Sequence, residues 1–307
     1  AEVMSGAIAG LTFDDSDIIY KLNNRYSEPI EAAWLGSGSI NNLIFNNDDS
    51  VKILKSLRED DARIKIIQNR ENIGPSKSLN LAANFAEGRY LIPVDGDDFL
   101  PKDGTRFLLD TSKKHNTELV FGISKRLKTI PGKVKHLAKE EYHSNPLEFC
   151  LNKKIVHMGF LVHKSLWLKS GGVDERVFIQ DMSLPIRLAA NATSLVYVNS
   201  VVYCLRDESD SNLLHNTDQQ HHDRYLTYLN LLEDFDGRLS KKAIASIHDQ
   251  LISSIWKIKR DNSKLPIFSS NFILYCKNKL FGYQLSKNEQ KNWSDNFSTI
   301  DSIRRVT

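Results

Sequence analysis

Gly88-Arg-Tyr-Leu-Ile-Pro-Val-Asp-Gly-Asp-Asp-Phe-Leu100 is the stretch that decides how this chain is built. Tyr90 to Val94 is a short apolar run, the pattern of a strand buried on both faces. It stops at three carboxylates, Asp95, Asp97 and Asp98. In α/β sheets, ligands gather just beyond the carboxyl ends of the strands. Carboxylates this close repel unless a cation lies between them, and hard oxygen ligands suit Mg²⁺ or Mn²⁺. A divalent-metal site holding a diphosphate is one reading. A solvated acidic turn is the other, since Asp and Gly are ordinary turn residues. Pro93 is discordant, because proline removes a ladder donor from a central strand.

Working upstream, Pro75 sits where a first helical residue belongs. Leu79, Ala82, Ala83 and Ala86 give that helix an apolar stripe, and Gly88 is placed to terminate it. Strands are expected at Gly6 to Phe13, Ile30 to Leu35 and around Ile64 and Ile66. Helices are expected at Ile18 to Arg25 and after the Asp49-Ser50 cap. Alternating strands and helices imply a mostly parallel sheet covered on both faces.

Downstream, a helix is expected over Phe107 to His115 and a strand over Glu118 to Ile123. Ser124 to Lys139 is basic, with Lys125, Arg126, Lys128, Lys133 and Lys135, and reads as a solvated loop or a flap over an anionic substrate. Ile155 to His163 is strand-like, Asp181 to Ala190 helical, and Ser194 to Tyr203 a β-branched strand. The character changes near Asp207. A His-rich patch (His215, His221, His222) leads into a helical tail where Ile244, Ile247, Leu251, Ile255 and Ile258 share one face. Such an amphipathic, lysine-bearing tail suits a membrane surface, a partner chain or its own domain.

Composition narrows the class. The chain has 307 residues, 41% hydrophobic and 26% charged, which suits one large domain and an appendage. A formal charge of +3 is too small to point to nucleic acid. Cys150, Cys204 and Cys276 make no zinc pattern and cannot all pair, which suits a reducing compartment. No run approaches the roughly 20 apolar residues of a membrane span, and the amino terminus lacks a charged-then-apolar leader pattern. The expectation is a cytoplasmic protein, with peripheral attachment at the inner face of the membrane as a variant.

Several stretches occur in one order: Asn72-Ile-Gly74, Ser78-Leu79-Asn80-Leu-Ala82, Gly88-Arg-Tyr90, Asp95-Gly-Asp97-Asp98, Lys169-Ser-Gly171-Gly172-Val-Asp174-Glu175 and Gln180-Asp181-Met-Ser-Leu184-Pro-Ile-Arg187. This ordered set resembles glycosyltransferase family 2 from about Ser5 to Asp210. The resemblance implies an α/β fold of GT-A type: a Rossmann-like, mixed and mostly parallel sheet flanked by helices. That domain would cover residues 1–210, with a helical C-terminal extension over 211–307. It implies an inverting sugar transferase using a nucleotide-sugar donor, a UDP-sugar first, and a glycan or lipid-linked acceptor. Such enzymes commonly build surface polysaccharides.

Carried over position by position, Asp181 would be the base that deprotonates the acceptor hydroxyl. Thr12, Ser37, Asn72 and Asp95 would hold the donor nucleotide. Asp95, Asp97 and His215 would hold Mn²⁺ or Mg²⁺. Gly171-Gly172 would shape the acceptor loop, and Arg187 would steady the helix after Asp181. Asp181 as a simple helix cap is the competing structural explanation.

The chain departs from the family at three places. Gly36-Ser37 stands where two aspartates usually precede the Gly-Ser turn, Leu79 replaces the usual arginine, and Gln180 replaces a glutamate. These losses leave a non-catalytic binding or scaffolding domain as the alternative. A nucleotidyltransferase would want a basic, glycine-rich signature near the first strand, and Gly6 to Thr12 has no basic residue.

Overall fold

The computed structural model describes residues 7–9, 59, 73–94, 98, 100–101, 104–127, 139–206 and 216–305. The elements expected over Ile18 to Arg25, Ile30 to Leu35 and Ile64 to Ile66, and the helix after Ser50, lie outside the described residues. Two compact units emerge. One comprises residues 1–146, 157–173 and 188–210; the other comprises 147–156, 174–187 and 211–307.

Among the described residues, the first unit is built on a sheet of six strands. They are β1 (Ala7–Ala9), β2 (Tyr90–Val94), β3 (Leu119–Leu127), β4 (Glu140–His143), β5 (Phe160–His163) and β6 (Leu195–Arg206), in the order β1-β2-β5-β3-β6-β4. The sheet is mixed, as expected, but among the described ladders only β3/β6 is parallel. Among the described strands the pairing is mostly antiparallel rather than mostly parallel, for a physical reason. Alternation of strand and helix implies parallel crossovers, yet β4 and β5 fall between β3 and β6 in the chain. Both enter the sheet antiparallel, β5 between β2 and β3, and β4 at the edge beyond β6.

The quoted strand is where it was expected. Leu91 to Val94 are all buried. Pro93 lies past the end of the β5 ladder, which takes in only Tyr90 and Leu91, and stands opposite Ile8 on β1, so its missing N–H is not needed by β5. Ahead of it, α1 (Gly74–Phe85) starts with Pro75 in its first turn and buries Leu79, Ala82 and Ala83. It ends before Gly88: Ala86 is already extended and closes the helix with its N–H on the Ala82 carbonyl. Helix α2 (Gly104–His115) packs on β3 and β6 through a stripe that includes Leu108 and Leu109. Its last turn is fixed by Lys114 and His115, each 2.6 Å from Glu140 on β4. The two hydrogen bonds, from His115 and then Lys114, hold the Glu140 carboxyl below its usual range.

Lys125 and Arg126 belong to β3, not to a loop, because β3 runs on to Leu127 beside β6. That pairing carries register shifts around Ile123. Gly122 explains how the backbones come so close there: a Cβ would lie 2.5 Å from Val202 Cγ2 and 3.0 Å from the Ser200 carbonyl oxygen. Of Ile155 to His163, only Phe160–His163 is strand. The segment before it turns at His157 and Gly159, with the Gly159 N–H donating to His157 Nδ1 at 3.1 Å. Burial lowers the His157 pKa to about 4, so the ring is neutral near pH 7.

The second unit is helical. It contains α3 (Pro146–Lys153) from Leu147 on, most of α5 (Gln180–Asn191), α6 (Thr217–Asp234), α7 (Lys241–Asp261), a 3-10 turn (Pro266–Phe268), α8 (Ser270–Phe281) and α9 (Lys287–Ser298); α4 (Lys164–Ser170) belongs to the sheet unit. The stripe Ile247, Leu251, Ile255 and Ile258 on α7 is buried and packs with α6, whose Tyr225, Tyr228 and Leu231 are also buried. That face is therefore taken up by its own unit.

Gly122→Ala is expected to lower stability by about 1–3 kcal/mol, the cost of forcing a methyl into a filled space, measured as a shift in the urea unfolding midpoint. His157 adds a pH dependence. Its folded pKa lies below the unfolded value, so stability is full above about pH 6.5 and falls as the pH drops toward 4. Thermal midpoints measured between pH 7 and 4 should decline less steeply in His157→Gln.

Candidate functional site

Of the site residues expected from sequence, Asp181 is described. Thr12, Ser37, Asn72, Asp95, Asp97 and His215 lie outside the described residues. Among the described residues, no three His, Cys, Asp or Glu side chains converge as a metal site. Asp98, the third carboxylate of the acidic run, is described and is 6% exposed. It is close enough to Cys204 on β6 that its charge adds to burial in pushing that thiol up to about 12. Cys204 pairs in register with Lys125 toward the carboxyl ends of the parallel strands β3 and β6. A freely solvated acidic turn does not describe Asp98.

Asn80 has a definite task. Its amide donates to the Val173 carbonyl at 2.9 Å and accepts the Val173 N–H at 2.9 Å, a two-point clamp on the chain just after Gly171-Gly172. Gly171 closes α4 in a left-handed conformation. Gly172 follows at φ +65°, and a Cβ there would lie 2.2 Å from Asn80 Oδ1. The glycine pair is what lets the clamp close.

Past Val173, the chain enters the helical unit and is held by buried charge. Asp174 is 5% exposed. It accepts two hydrogen bonds from the Arg176 side chain, at 2.8 and 2.9 Å, and one from Asn230 at 2.9 Å. Burial by itself raises the Asp174 carboxyl, but the bonds from Arg176 and Asn230 outweigh it and hold the pKa below its usual value. Arg187 donates to Asp234 on α6 at 2.6 Å and lies 3.8 Å from Asp174. Arg176 reaches the same Asp234 oxygen at 2.6 Å. Two arginines and two aspartates thus bind α5 to α6, and Arg187 steadies the helix as expected.

Gln180 and Asp181 open α5, and Asp181 lies in the first turn, where the helix dipole favours an anion. Gln180 is buried; Asp181 is half-buried, with its Oδ1 shut off from solvent. Pro185 lacks the N–H that would bond to the Asp181 carbonyl, so the helix is loosened next to that residue. The residue before Gln180 is fixed from α6: the Ile179 N–H donates to Asp223 Oδ2 at 2.7 Å. Asp223 is 1% exposed and also accepts from Gln219 at 2.8 Å and from His222 Nδ1 at 2.7 Å. Gln219 in turn clamps the Arg304 backbone, accepting its N–H at 2.6 Å and donating to its carbonyl at 3.1 Å.

Gln219, Asp223 and Asp234 were not singled out from sequence. The available signal was a polar pair, Gln219 and Asp223, spaced i, i+4 on a helix. His221 and His222 prove structural: His221 pairs with Asp261 at 2.9 Å, and the His222 ring meets Phe297 edge-on. Leu79, in place of an arginine, is 1% exposed and packs as core.

With this geometry in view, similarity to known proteins is informative. Residues 43–161 match the model of glycosyl transferase family 2. An uncharacterized glycosyltransferase of Methanocaldococcus jannaschii is 30% identical over 150 residues, 48% of this chain and 51% of the relative. Another, from Haemophilus influenzae, is 30% identical over 86 residues, 28% of this chain and 31% of the relative. The chain thus spans about half or less of the curated relatives that it matches. Among solved structures, S. aureus TarS 1–349 superposes with a TM-score of 0.53 at 15% identity, covering 80% of this chain and 65% of that one. The same protein in complex with UDP-GlcNAc gives 0.53 at 13% identity, covering 72% and 71%. The fold is GT-A-like. Residues 43–161 are thus similar to glycosyl transferase family 2.

Acid sensitivity should follow from Asp174. With its folded pKa depressed, its contribution is present above the unfolded value near 4 and is lost as pH falls through the lower folded value. Asp174→Asn should flatten the fall in thermal midpoint below about pH 4. Asp223→Ala takes away the acceptor of the Ile179 N–H and of the buried Gln219 side chain, and should cost about 2–3 kcal/mol in denaturant unfolding.

Proposed function

We propose that this chain is an inverting, metal-dependent glycosyltransferase. It would move a sugar from a nucleoside-diphosphate sugar to a glycan or lipid-linked acceptor, in surface polysaccharide synthesis on the cytoplasmic side. The observation that carries the reading is the family match over residues 43–161, which spans Asn72, Asn80 and the Asp95-Gly-Asp97 run. UDP-GlcNAc bound to TarS, a protein of similar fold, supports a nucleotide-sugar donor, with a UDP-sugar as the first choice.

Asp181 is the residue assigned as base. It takes the proton from the acceptor hydroxyl as that oxygen attacks the anomeric carbon, and a positioned base of this kind contributes about 10²–10⁴-fold. The bonds from the Ile179 N–H to Asp223 and from Arg187 to Asp234 fix the ends of the segment that presents it. Thr12, Ser37, Asn72 and Asp95 would hold the nucleotide. Asp95 and Asp97, with His215, make a donor set that fits Mn²⁺ or Mg²⁺, since two carboxylates supply hard oxygens and an imidazole is acceptable to Mn²⁺. Such a cation, when bound, offsets the charge that grows on the departing diphosphate.

A second reading, a weakly active or inactive binding or scaffolding domain, draws on Leu79. Its burial in the core removes any chance that this position supplies the arginine contact of relatives. Calorimetry against a panel of nucleotides with Mn²⁺ distinguishes the two, because a domain that binds none of them is not a transferase.

Asp181→Asn and Asp97→Asn are each expected to lower turnover at least about 10²-fold in a transfer or hydrolysis screen over nucleotide sugars. Full activity in either variant removes that residue from its assigned role.

A further inference from the structure

The tail does present an apolar surface, but not on the helix whose periodicity advertised one. The α7 stripe is buried. The side chains left outside are Leu265 at 66% exposure, Ile267 at 55%, Phe268 at 80%, Ile273 at 67%, Leu280 at 74% and Phe281 at 82%. They cluster in the 3-10 turn before α8 and along one flank of α8 itself. Ile273, Lys277, Leu280 and Phe281 follow i, i+4, i+7, i+8 spacing and share a side of the helix. The other flank is anchored: Phe272 and Tyr275 pack on Trp256 of α7, with ring centroids 5.0 and 5.9 Å away.

The charge around this surface is one-sided. Between Asp261 and Glu289 the chain holds Lys264, Lys277, Lys279 and Lys287 and no acidic residue. Lys257, Lys259 and Arg260 precede it. Asp249 binds Lys279 at 2.5 Å, and Glu289 feels the charge of Lys277, yet the surplus remains positive. Helix α8 has 12 residues, too short to cross a bilayer but long enough to lie along its surface.

We propose that the Leu265–Phe281 surface docks on an anionic lipid bilayer. Phe268, Leu280 and Phe281 would enter the acyl boundary while the lysines meet the headgroups. Charge decides the choice of occupant. A second copy would bring the same net-positive lysine cluster against itself, whereas an anionic leaflet complements it. This inference stands apart from the transferase reading, because it uses no residue assigned to the reaction.

Co-sedimentation of the full chain with phosphatidylcholine vesicles, with and without phosphatidylglycerol, provides the test. Binding should require phosphatidylglycerol and weaken as salt is raised. The Phe268→Ser/Phe281→Ser double variant should bind at least ~10-fold more weakly, at an unchanged thermal midpoint because both rings are exposed. Lys264→Glu/Lys287→Glu, which keeps every apolar side chain, should also bind more weakly. No sedimentation with phosphatidylglycerol vesicles, or equal binding by parent and the phenylalanine variant, overturns the proposal. A dimer in analytical ultracentrifugation that the phenylalanine variant abolishes, without vesicle binding by the parent, assigns the surface to a second copy and overturns it as well.

Discussion

A carboxylate taken out of water must be given donors, and this constraint shapes the chain around Asp181. Asp223, almost completely buried, is satisfied by the Ile179 N–H, the Gln219 amide and the His222 ring. An unpaired buried charge costs several kcal/mol, so these partners are held in place as firmly as the carboxylate itself. The backbone that leads into Gln180-Asp181 inherits that rigidity. Asp174 obeys the same rule on the other side of the segment, with Arg176 and Asn230 as its donors.

Position along the chain then has physical meaning. Val173 is clamped by Asn80 in the sheet unit, and Asp174 begins the portion that clusters with the helices. The glycine pair ahead of Val173 exists because the clamp needs backbone where a side chain would collide. Residues 174–187 therefore owe their placement to α6, an element that lies 30 or more residues later in the sequence. For the same reason, Gln219 and the backbone of Arg304 belong to the description of Asp181's surroundings, although neither is near it in sequence.

Much of the sheet unit was legible from residues alone. The run from Tyr90 to Val94, the stripe of α1 and the helix over Phe107 to His115 obey short-range patterns, which depend on neighbours two to four positions away. What misled was order: alternating strands and helices suggested parallel pairing, whereas β4 and β5 enter antiparallel. The α7 stripe read correctly as amphipathic, yet periodicity does not say what covers a face, and here α6 covers it. Lys125 and Arg126 looked like loop residues because charge suggests solvent, but they sit at the exposed end of a paired strand.

By itself the sequence determined the local elements, the acidic run after β2 and Asp181 at the start of a helix, since spacing, caps and turn residues act over one or two turns of chain. Only the tertiary structure decided which polar residues are partners: Asn80 with Val173, Asp223 with Ile179, and Arg187 with Asp234. Those pairings arise because burial obliges each polar group to find a donor or acceptor, and the partner can come from any part of the chain that folding brings near.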